Sequence, residues 1–243
     1  MIWRLRIFSR LAVFVALAWA LPAGAATVTG KVELRDSQDA SVRRKLDYSG
    51  VVVWLEPMGA KASLPAAGHA KMEQRGKTFT PHILAIPMGT TVDFPNFDPI
   101  FHNAFSNYDG KPFDLGLYPP HTSKSVAFTR AGIVRVFCNI HSQMSAVIVV
   151  LDTPYFTVTK RDGSYDFGAV PAGEYRLHVF HERATQATLD GAARRVTAGA
   201  DAVAVPAIPI SESGYIAIPH MNKFGHEYPP APDELGVYPA VRK

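Results

Sequence analysis

Cysteine is the residue that this sequence most nearly lacks, since Cys138 is the only one among 243 residues. A lone cysteine cannot form a disulfide within its own chain, so a disulfide-stapled scaffold is excluded. Covalent haem attachment is also excluded, because the spacing C-x-x-C-H needs two cysteines. Cys138 is therefore a buried inert thiol, a partner in an intermolecular bond, a nucleophile or a metal ligand.

Long apolar runs are also missing, apart from one stretch of 11 residues at positions 11–21. This run follows three arginines and precedes the small residues at 23–25, which is the pattern of a secretory signal peptide. We therefore predict that residues 1–25 are a signal peptide and that the protein is exported to the periplasm. The run is too short to span a bilayer, so we predict no stable membrane span after signal removal, with a short uncleaved anchor as the alternative.

A concentrated basic patch is absent from the sequence as well. The formal net charge is +4, and three of the basic residues fall within the predicted signal peptide. Proteins that bind nucleic acid cluster Lys and Arg on one face or along one segment. The sequence therefore predicts no nucleic-acid partner.

The chain has little helical periodicity, and its 19 prolines and 18 glycines separate short runs in which apolar and polar residues alternate. Alternation with a period of two is typical of strands with one buried face. We therefore predict an all-β fold built from β-sandwiches. The predicted strands are 27–34, 51–56, 90–94, 125–128, 133–138, 145–151, 173–180 and 202–208.

The stretch FCNIHSQM, residues 137–144, places His141 three residues after Cys138 and Met144 three residues further on. A thiolate, two imidazoles and a weak thioether form the ligand set of a blue-copper electron-transfer centre, and this stretch supplies three of the four. A zinc site would favour nitrogen and sulfur ligands without a thioether. A cysteine nucleophile with His141 as its base would leave Met144 without a role.

A candidate for the second histidine lies in PNFDPIFHN, residues 95–103, where His102 follows an alternating strand and a loop. This stretch and the strands around FCNIHSQM together resemble the cupredoxins, whose short ligand loops, such as that of amicyanin, have the same spacing. The resemblance implies a cupredoxin Greek-key β-sandwich over 75–152 that holds one type 1 copper ion. It also implies that the backbone N–H of Asn103 donates to the cysteine sulfur. The copper ligands implied by the resemblance are His102, Cys138, His141 and Met144.

The flanking segments carry a second resemblance. Residues 26–60 and 153–210 are similar to the two parts of a carboxypeptidase regulatory-like sandwich, a small transthyretin-like fold. We therefore expect the cupredoxin domain to be inserted into that second sandwich. The alternative is two consecutive domains, with the N-terminal strands belonging to the cupredoxin. Residues 57–80 are predicted to be a linker or surface loop, and 211–243 a proline-containing tail.

The whole pattern resembles periplasmic cupredoxin-containing proteins that are labelled methylamine-utilisation proteins. It implies an exported type 1 copper protein that carries single electrons between redox protein partners, and not an enzyme. Multicopper oxidases place histidines on both sides of the ligand cysteine, whereas Phe137 and Asn139 stand there in this chain. The alternative function is a copper-binding or partner-binding module, a sensor or carrier, without electron transfer. A second, weak copper site remains open at His220, Met221 and His226 in the tail.

Overall fold

The computed structural model describes residues 25–107, 110–217 and 219–228, and almost all of their regular structure is β-strand. The predicted all-β fold is therefore confirmed. Residues 1–24, which hold nearly all of the predicted signal peptide, and residues 229–243 of the predicted tail lie outside the described residues. Both helices in the described part of the chain are shorter and more polar than a membrane-spanning helix has to be.

The elements are numbered here in chain order. The strands are β1 (Ala25–Arg35), β2 (Val52–Pro57), β3 (His69–Lys71), β4 (Glu73–Arg75), β5 (Thr78–Thr80), β6 (Ile83–Pro87), β7 (Thr91–Pro95), β8 (Phe105–Ser106), β9 (Phe113–Asp114), β10 (Ser123–Ala127), β11 (Gly132–Phe137), β12 (Ser145–Leu151), β13 (Phe156–Val158), β14 (Ser164–Pro171), β15 (Gly173–Phe180), β16 (Arg194–Ala198), β17 (Val203–Ala204) and β18 (Ile208–Ser211). The helices are α1 (Ala40–Lys45) and α2 (Gln186–Ala192).

One sandwich is built from the two ends of the described chain, and we call it the terminal sandwich. In its first sheet β1 lies between β14, to which it is antiparallel, and the parallel strands β17 and β18. Its second sheet has the order β13-β2-β15-β16. Alternate residues of both sheets, such as Val28, Leu55 and Leu177, meet in one buried core. From this pairing of early with late strands we propose that the residues between β2 and β13 are an insertion.

The other sandwich contains Cys138, and we call it the Cys138 sandwich. A three-stranded sheet, β10-β7-β3, faces a five-stranded sheet, β6-β12-β11-β8-β9. Aromatic and branched side chains such as Phe94, Phe128 and Ile148 fill the space between the sheets. Cys138 and Met144 lie in this same buried core, so the sequence around them is part of the packing of the domain.

The prediction of a linker or surface loop is wrong for residues 69–80. β3 pairs in parallel with β7, and β4 pairs with β5 in a hairpin closed by Gly76 and Lys77, both at positive φ. Hydrogen bonds to partner strands hold these three-residue strands in place. Few of their side chains are buried, so they have no apolar run. Met72, Gln74 and Phe79 are the buried ones, and their spacing gives no clear strand period.

The two sandwiches share a third apolar cluster, which forms because β2 and β12 are buried on both faces. Along β12, Ile148 and its alternate neighbours face the core of the Cys138 sandwich, whereas Val147, Val149 and Leu151 face the terminal sandwich. Val52 and Phe180 pack against them from the other side. Strands covered on both faces have nearly continuous apolar sequences, as in VVVWLE and SAVIVVL.

A polar junction lies beside this contact. His82, just before β6, has Nε2 2.8 Å from a carboxylate oxygen of Glu182 and Nδ1 3.0 Å from the carbonyl of Ser145. Arg183, the residue after Glu182, donates from Nε to the carboxylate of Glu212 at 2.9 Å. The junction thus connects the Cys138 sandwich to a buried ionic cluster of the terminal sandwich.

Candidate metal centre

Two ligand-bearing segments converge at one end of the Cys138 sandwich. The Sγ of Cys138 lies 3.9 Å from Nδ1 of His102 and 3.7 Å from Nδ1 of His141. One donor atom from each of the three residues lies within 4.8 Å of the other two. His102 and Cys138 are fully buried, and His141 is partly exposed. The structure therefore brings three of the four sequence-predicted ligands together.

The ligand loop, residues 138–144, is a tight connection between the antiparallel strands β11 and β12. The N–H of Cys138 donates to the carbonyl of Met144 at 3.1 Å, and the N–H of Met144 donates to the carbonyl of His141 at 3.0 Å. Met144 is fully buried in the same core cluster as Cys138. The fourth predicted ligand is thus held in the interior by the same short loop that presents the thiol.

The stretch PNFDPIFHN forms a loop because buried Asn96 bonds to the backbone around it. Its side-chain oxygen accepts from the N–H of Asp98 at 3.0 Å, and its amide donates to the carbonyl of Ile100 at 2.8 Å. The loop ends at His102, whose backbone exchanges hydrogen bonds with Tyr118. The loop thereby fixes the backbone position of His102.

The side chain of His102 is oriented by Asp98. The carboxylate of Asp98 accepts from Nε2 of His102 at 2.7 Å, and from the N–H groups of Gly76 and Lys77 at 2.6 and 2.8 Å. Burial raises the pKa of Asp98, but the donors at Lys77, His102 and Gly76 more than offset it, so this pKa is lowered. With its proton on Nε2, His102 presents the lone pair of Nδ1 towards Cys138, which is the orientation a metal ligand needs.

The thiol of Cys138 has competing influences on its ionisation. Burial raises its pKa, whereas the backbone N–H groups of Ile140, Asn103 and His141 donate towards Sγ and lower it. The Asn103 N–H expected from the resemblance is among these influences on the pKa of Cys138. The pKa of His141 is lowered, chiefly by burial. A neutral His141 keeps a lone pair available for a metal.

The donor set fits a copper ion. One soft sulfur and two imidazole nitrogens are the strong ligands of blue-copper sites, and a thioether is the usual weak fourth ligand. The N–H groups around Sγ are suited to stabilise a thiolate, which is the form that binds a metal. His102, Cys138, His141 and Met144 are the residues that could hold the ion.

The tail histidines His220 and His226 have hydrogen-bond partners within the described residues. Within the described ranges, His102, Cys138 and His141 are the one group of three or more His, Cys, Asp or Glu residues with converging donors. His220 instead has Nε2 2.9 Å from the carbonyl of Ser142. His226 bonds to Asn222 through its backbone. The second, weak copper site at His220, Met221 and His226 therefore stays a prediction.

Sequence reasoning missed two contributors to the site. Asp98 lies four residues before His102, and a carboxylate at that spacing in the loop was a usable signal for its role. Tyr228 donates from its hydroxyl to the carbonyl of Cys138 at 2.8 Å, although 90 positions separate the two residues. No local pattern could have indicated the second contact.

Exposed apolar side chains flank both ligand segments. Phe101, next to His102, is 53% exposed, and Ile140, next to His141, is 42% exposed. Leu117 and Phe97 in neighbouring loops are also exposed. Large apolar side chains that are exposed together near a site are typical of a surface that contacts another protein.

No protein-family model matches the chain, and no curated protein matches it. Part of the chain is similar to solved structures. The copper-containing nitrite reductase from Thermus scotoductus SA-01 is 30% identical, over 40% of this chain and 25% of that one, with a TM-score of 0.33. A purple cupredoxin from Nitrosopumilus maritimus is 23% identical, over 34% of this chain and 99% of that one, with a TM-score of 0.31. A Cu(I) form of an amicyanin variant is 18% identical, over 41% of this chain and 98% of that one, with a TM-score of 0.32.

The chain thus spans about a quarter of the nitrite reductase, and almost all of the purple cupredoxin and the amicyanin. The names of the nitrite reductase and the amicyanin variant include copper, and the third neighbour is named a cupredoxin. Two facing sheets with a ligand loop between adjacent antiparallel strands make the Cys138 sandwich a cupredoxin-like β-sandwich.

Proposed function

We propose that this protein binds one type 1 copper ion and carries single electrons between redox protein partners. The observation that carries the proposal is the convergence of one thiol and two imidazole nitrogens within 4.8 Å at a largely buried position. With Met144 as a weak fourth ligand, this is the ligand set of a blue-copper centre. Copper, when bound, would supply a one-electron change between Cu(I) and Cu(II).

The residues of the chain have separate roles in this proposal. Asp98 holds the proton of His102 on Nε2 and so keeps Nδ1 free. Cys138 binds as a thiolate, so metal binding releases the proton that burial otherwise retains on the sulfur. The short loop from Cys138 to Met144 limits how far the ligands can move, which favours rapid electron transfer. Four protein ligands leave no position for a substrate, and we therefore propose no enzymatic activity.

The surface around the site suits a transient protein partner. His141 is the partly exposed ligand, and Phe101 and Ile140 provide apolar contact area beside the two ligand segments. We propose that electrons pass through the His141 edge to a redox protein with a complementary apolar surface. The proposal includes export to the periplasm and kinship with the proteins labelled methylamine-utilisation proteins, both of which derive from the sequence patterns.

The test is to load the metal-free protein with Cu(II) and record its visible and electron paramagnetic resonance spectra. We expect an intense thiolate-to-copper band that Cys138→Ser and His141→Gln abolish. His69→Gln is the matched control, because His69 is an exposed histidine of the same sandwich whose partner is Asp93. A colourless protein that releases Cu(I) readily would instead indicate a copper carrier.

The role of Met144 is tested by two substitutions that act in opposite directions. Met144→Gln offers a harder oxygen donor, which favours Cu(II), so the reduction potential should fall. Met144→Leu removes the donor and should raise the potential. Voltammetry of the blue proteins measures both, and each 59 mV corresponds to about a tenfold change in the equilibrium constant of a one-electron couple. Equal potentials in all three proteins would show that Met144 is not a ligand.

A further inference from the structure

The C-terminal segment 219–228, which we call the tail strap, lies directly on the ligand loop. The hydroxyl of Tyr228 donates to the carbonyl of Cys138 at 2.8 Å, and Nε2 of His220 lies 2.9 Å from the carbonyl of Ser142. The backbone N–H of Lys223 donates to Oδ1 of Asn139 at 2.9 Å. Three residues of the strap thus bond to three of the five residues at 138–142.

Aromatic packing reinforces these hydrogen bonds. The ring of His220 stacks on Phe137, with centroids 4.0 Å apart and planes at 26°. Tyr228 packs edge-on against His220 at 5.2 Å, and Phe105 packs against Phe137 at 5.9 Å. Successive residues of a strand point to opposite faces, so the strap covers the sheet face directly behind Cys138.

The strap also reaches the other ligand segment through Lys223. Its Nζ lies 2.8 Å from one carboxylate oxygen of Asp114, and the other oxygen accepts from the side-chain amide of Asn103 at 2.8 Å. Asn107 donates to the carbonyl of Lys223 at 3.1 Å. Asn103 is the residue directly after the candidate ligand His102. One short segment therefore connects to both parts of the chain that carry candidate ligands.

We propose that the tail strap positions the ligand loop, with His220, Lys223 and Tyr228 as positioning residues. Without the strap, the carbonyls of Cys138 and Ser142 would lose donors, and Phe137 would lose its aromatic cover. The loop would then sample more conformations, and the distances among the three donor atoms would vary. The inference rests on the proposed function only in taking this loop as the copper-binding loop.

The first test uses the full-length metal-free protein, in which Cys138 is the only thiol. The rate at which dithionitrobenzoate modifies Cys138 reports how often the loop opens. Tyr228→Phe removes the hydroxyl that donates to the carbonyl of Cys138 and lies 3.3 Å from Nδ1 of His220, and we expect a rate about fivefold higher. Tyr215→Phe is the matched control, because Tyr215 is 43% exposed and precedes the strap. Equal rates in the parent and Tyr228→Phe would overturn the proposal whether or not the protein binds copper.

The second test separates positioning from simple covering and uses the copper-loaded protein. We expect Tyr228→Phe to shift the thiolate–copper stretching frequency in the resonance Raman spectrum and to increase the rate of Cu(I) loss to a chelator about fivefold. Faster thiol modification with an unchanged stretching frequency would show that the strap only covers the loop, and would overturn the positioning role. If the parent protein forms no blue site, the proposed function fails, and the thiol rates still decide whether the strap holds the loop.

Discussion

A carboxylate that accepts three N–H groups has little freedom to move, and Asp98 is in that position. It connects the hairpin turn at Gly76 and Lys77 to the ring of His102. The turn therefore acts on the candidate metal site although neither of its residues is a ligand. Such a partner holds a metal-binding histidine in one tautomer and one ring orientation.

We predict that Asp98→Asn weakens copper binding about 10-fold or more, the range typical for loss of such a partner. The asparagine offers one acceptor oxygen, and its amide group would face the donors of the turn. Competition titration with a Cu(I) chelator measures the affinity. Asp93→Asn is the matched control, since Asp93 bonds the exposed His69 in the same sandwich. Equal affinities for both variants would contradict the role of Asp98.

Among individual residues, the sequence predicted those whose roles follow from a local motif. The ligand loop gave Cys138, His141 and Met144 because their spacing is a property of seven consecutive residues. His102 required the resemblance, because its position depends on the fold between it and Cys138. The contacts of Asp98 with the hairpin and of Tyr228 with Cys138 join distant segments. Such contacts leave no periodic or spacing signal in a single sequence.

At the scale of the elements, β12 has two functions because it is buried on both faces. Its residues at 146, 148 and 150 complete the core that holds the candidate ligands, and those at 147, 149 and 151 bind the terminal sandwich. The uninterrupted run SAVIVVL predicts a strand. Because polar residues do not alternate with the apolar ones, the run also indicates that both faces of the strand are covered. The short polar strands β3, β4 and β5 carried no comparable signal and were missed for that reason.

The two faces of β12 predict different results for neighbouring substitutions. Val149→Asn places an amide in the contact between the sandwiches, whereas Val150→Asn places it in the core of the Cys138 sandwich. Each substitution should lower the free energy of unfolding by about 1–3 kcal/mol, because it buries an unpaired amide. We expect Val149→Asn to alter the fluorescence of Trp54, which lies in the contact, while the blue band persists. Val150→Asn should lower the temperature at which the blue band is lost.

Thermal scans that follow the visible band and tryptophan fluorescence together measure both effects. Trp54 is the only tryptophan after residue 24, so its signal is local to the contact in protein without the predicted signal peptide. Parallel changes of both signals in both variants would contradict the assignment of two independent faces.

At the scale of the whole molecule, the junction at His82 makes the association of the sandwiches sensitive to pH. Both ring nitrogens of His82 face acceptors, at Glu182 and Ser145, so only the protonated ring donates to both. The hydrogen bond with Glu182 accordingly raises the pKa of His82 above 6.5, and burial only partly opposes it. The stabilisation is therefore complete below about pH 6.5 and is lost as pH rises through the raised pKa.

We predict that His82→Gln is less stable than the parent by up to about 1 kcal/mol below about pH 6.5, and that the difference disappears in alkaline solution. The value is small because His82 is 47% exposed. Urea unfolding at about pH 6 and about pH 9 measures it. Comparison with the parent is needed, because burial lowers the pKa of His181, which destabilises the fold as pH falls.

Glu182→Gln should remove the same pH-dependent difference, and the double variant should add nothing further. A destabilisation by His82→Gln that is equal at both pH values would show that the ring stabilises the junction by packing and not by charge.

The pairing of the first strands with the last also sets an order of events during synthesis. Glu56 and His178, which bond across β2 and β15, are 122 positions apart. The ribosome therefore completes β1 and β2 long before their partner strands exist. The residues between β2 and β13 are made next, and they can already close a core of their own. Until β13 to β15 emerge, the two early strands expose unpaired edges, which are prone to aggregate. Closure of the terminal sandwich is then a late and slow step, since contacts between distant residues form slowly. A nascent chain truncated before β13 would carry two unpaired strands and would also lack the tail strap that bonds to the ligand loop.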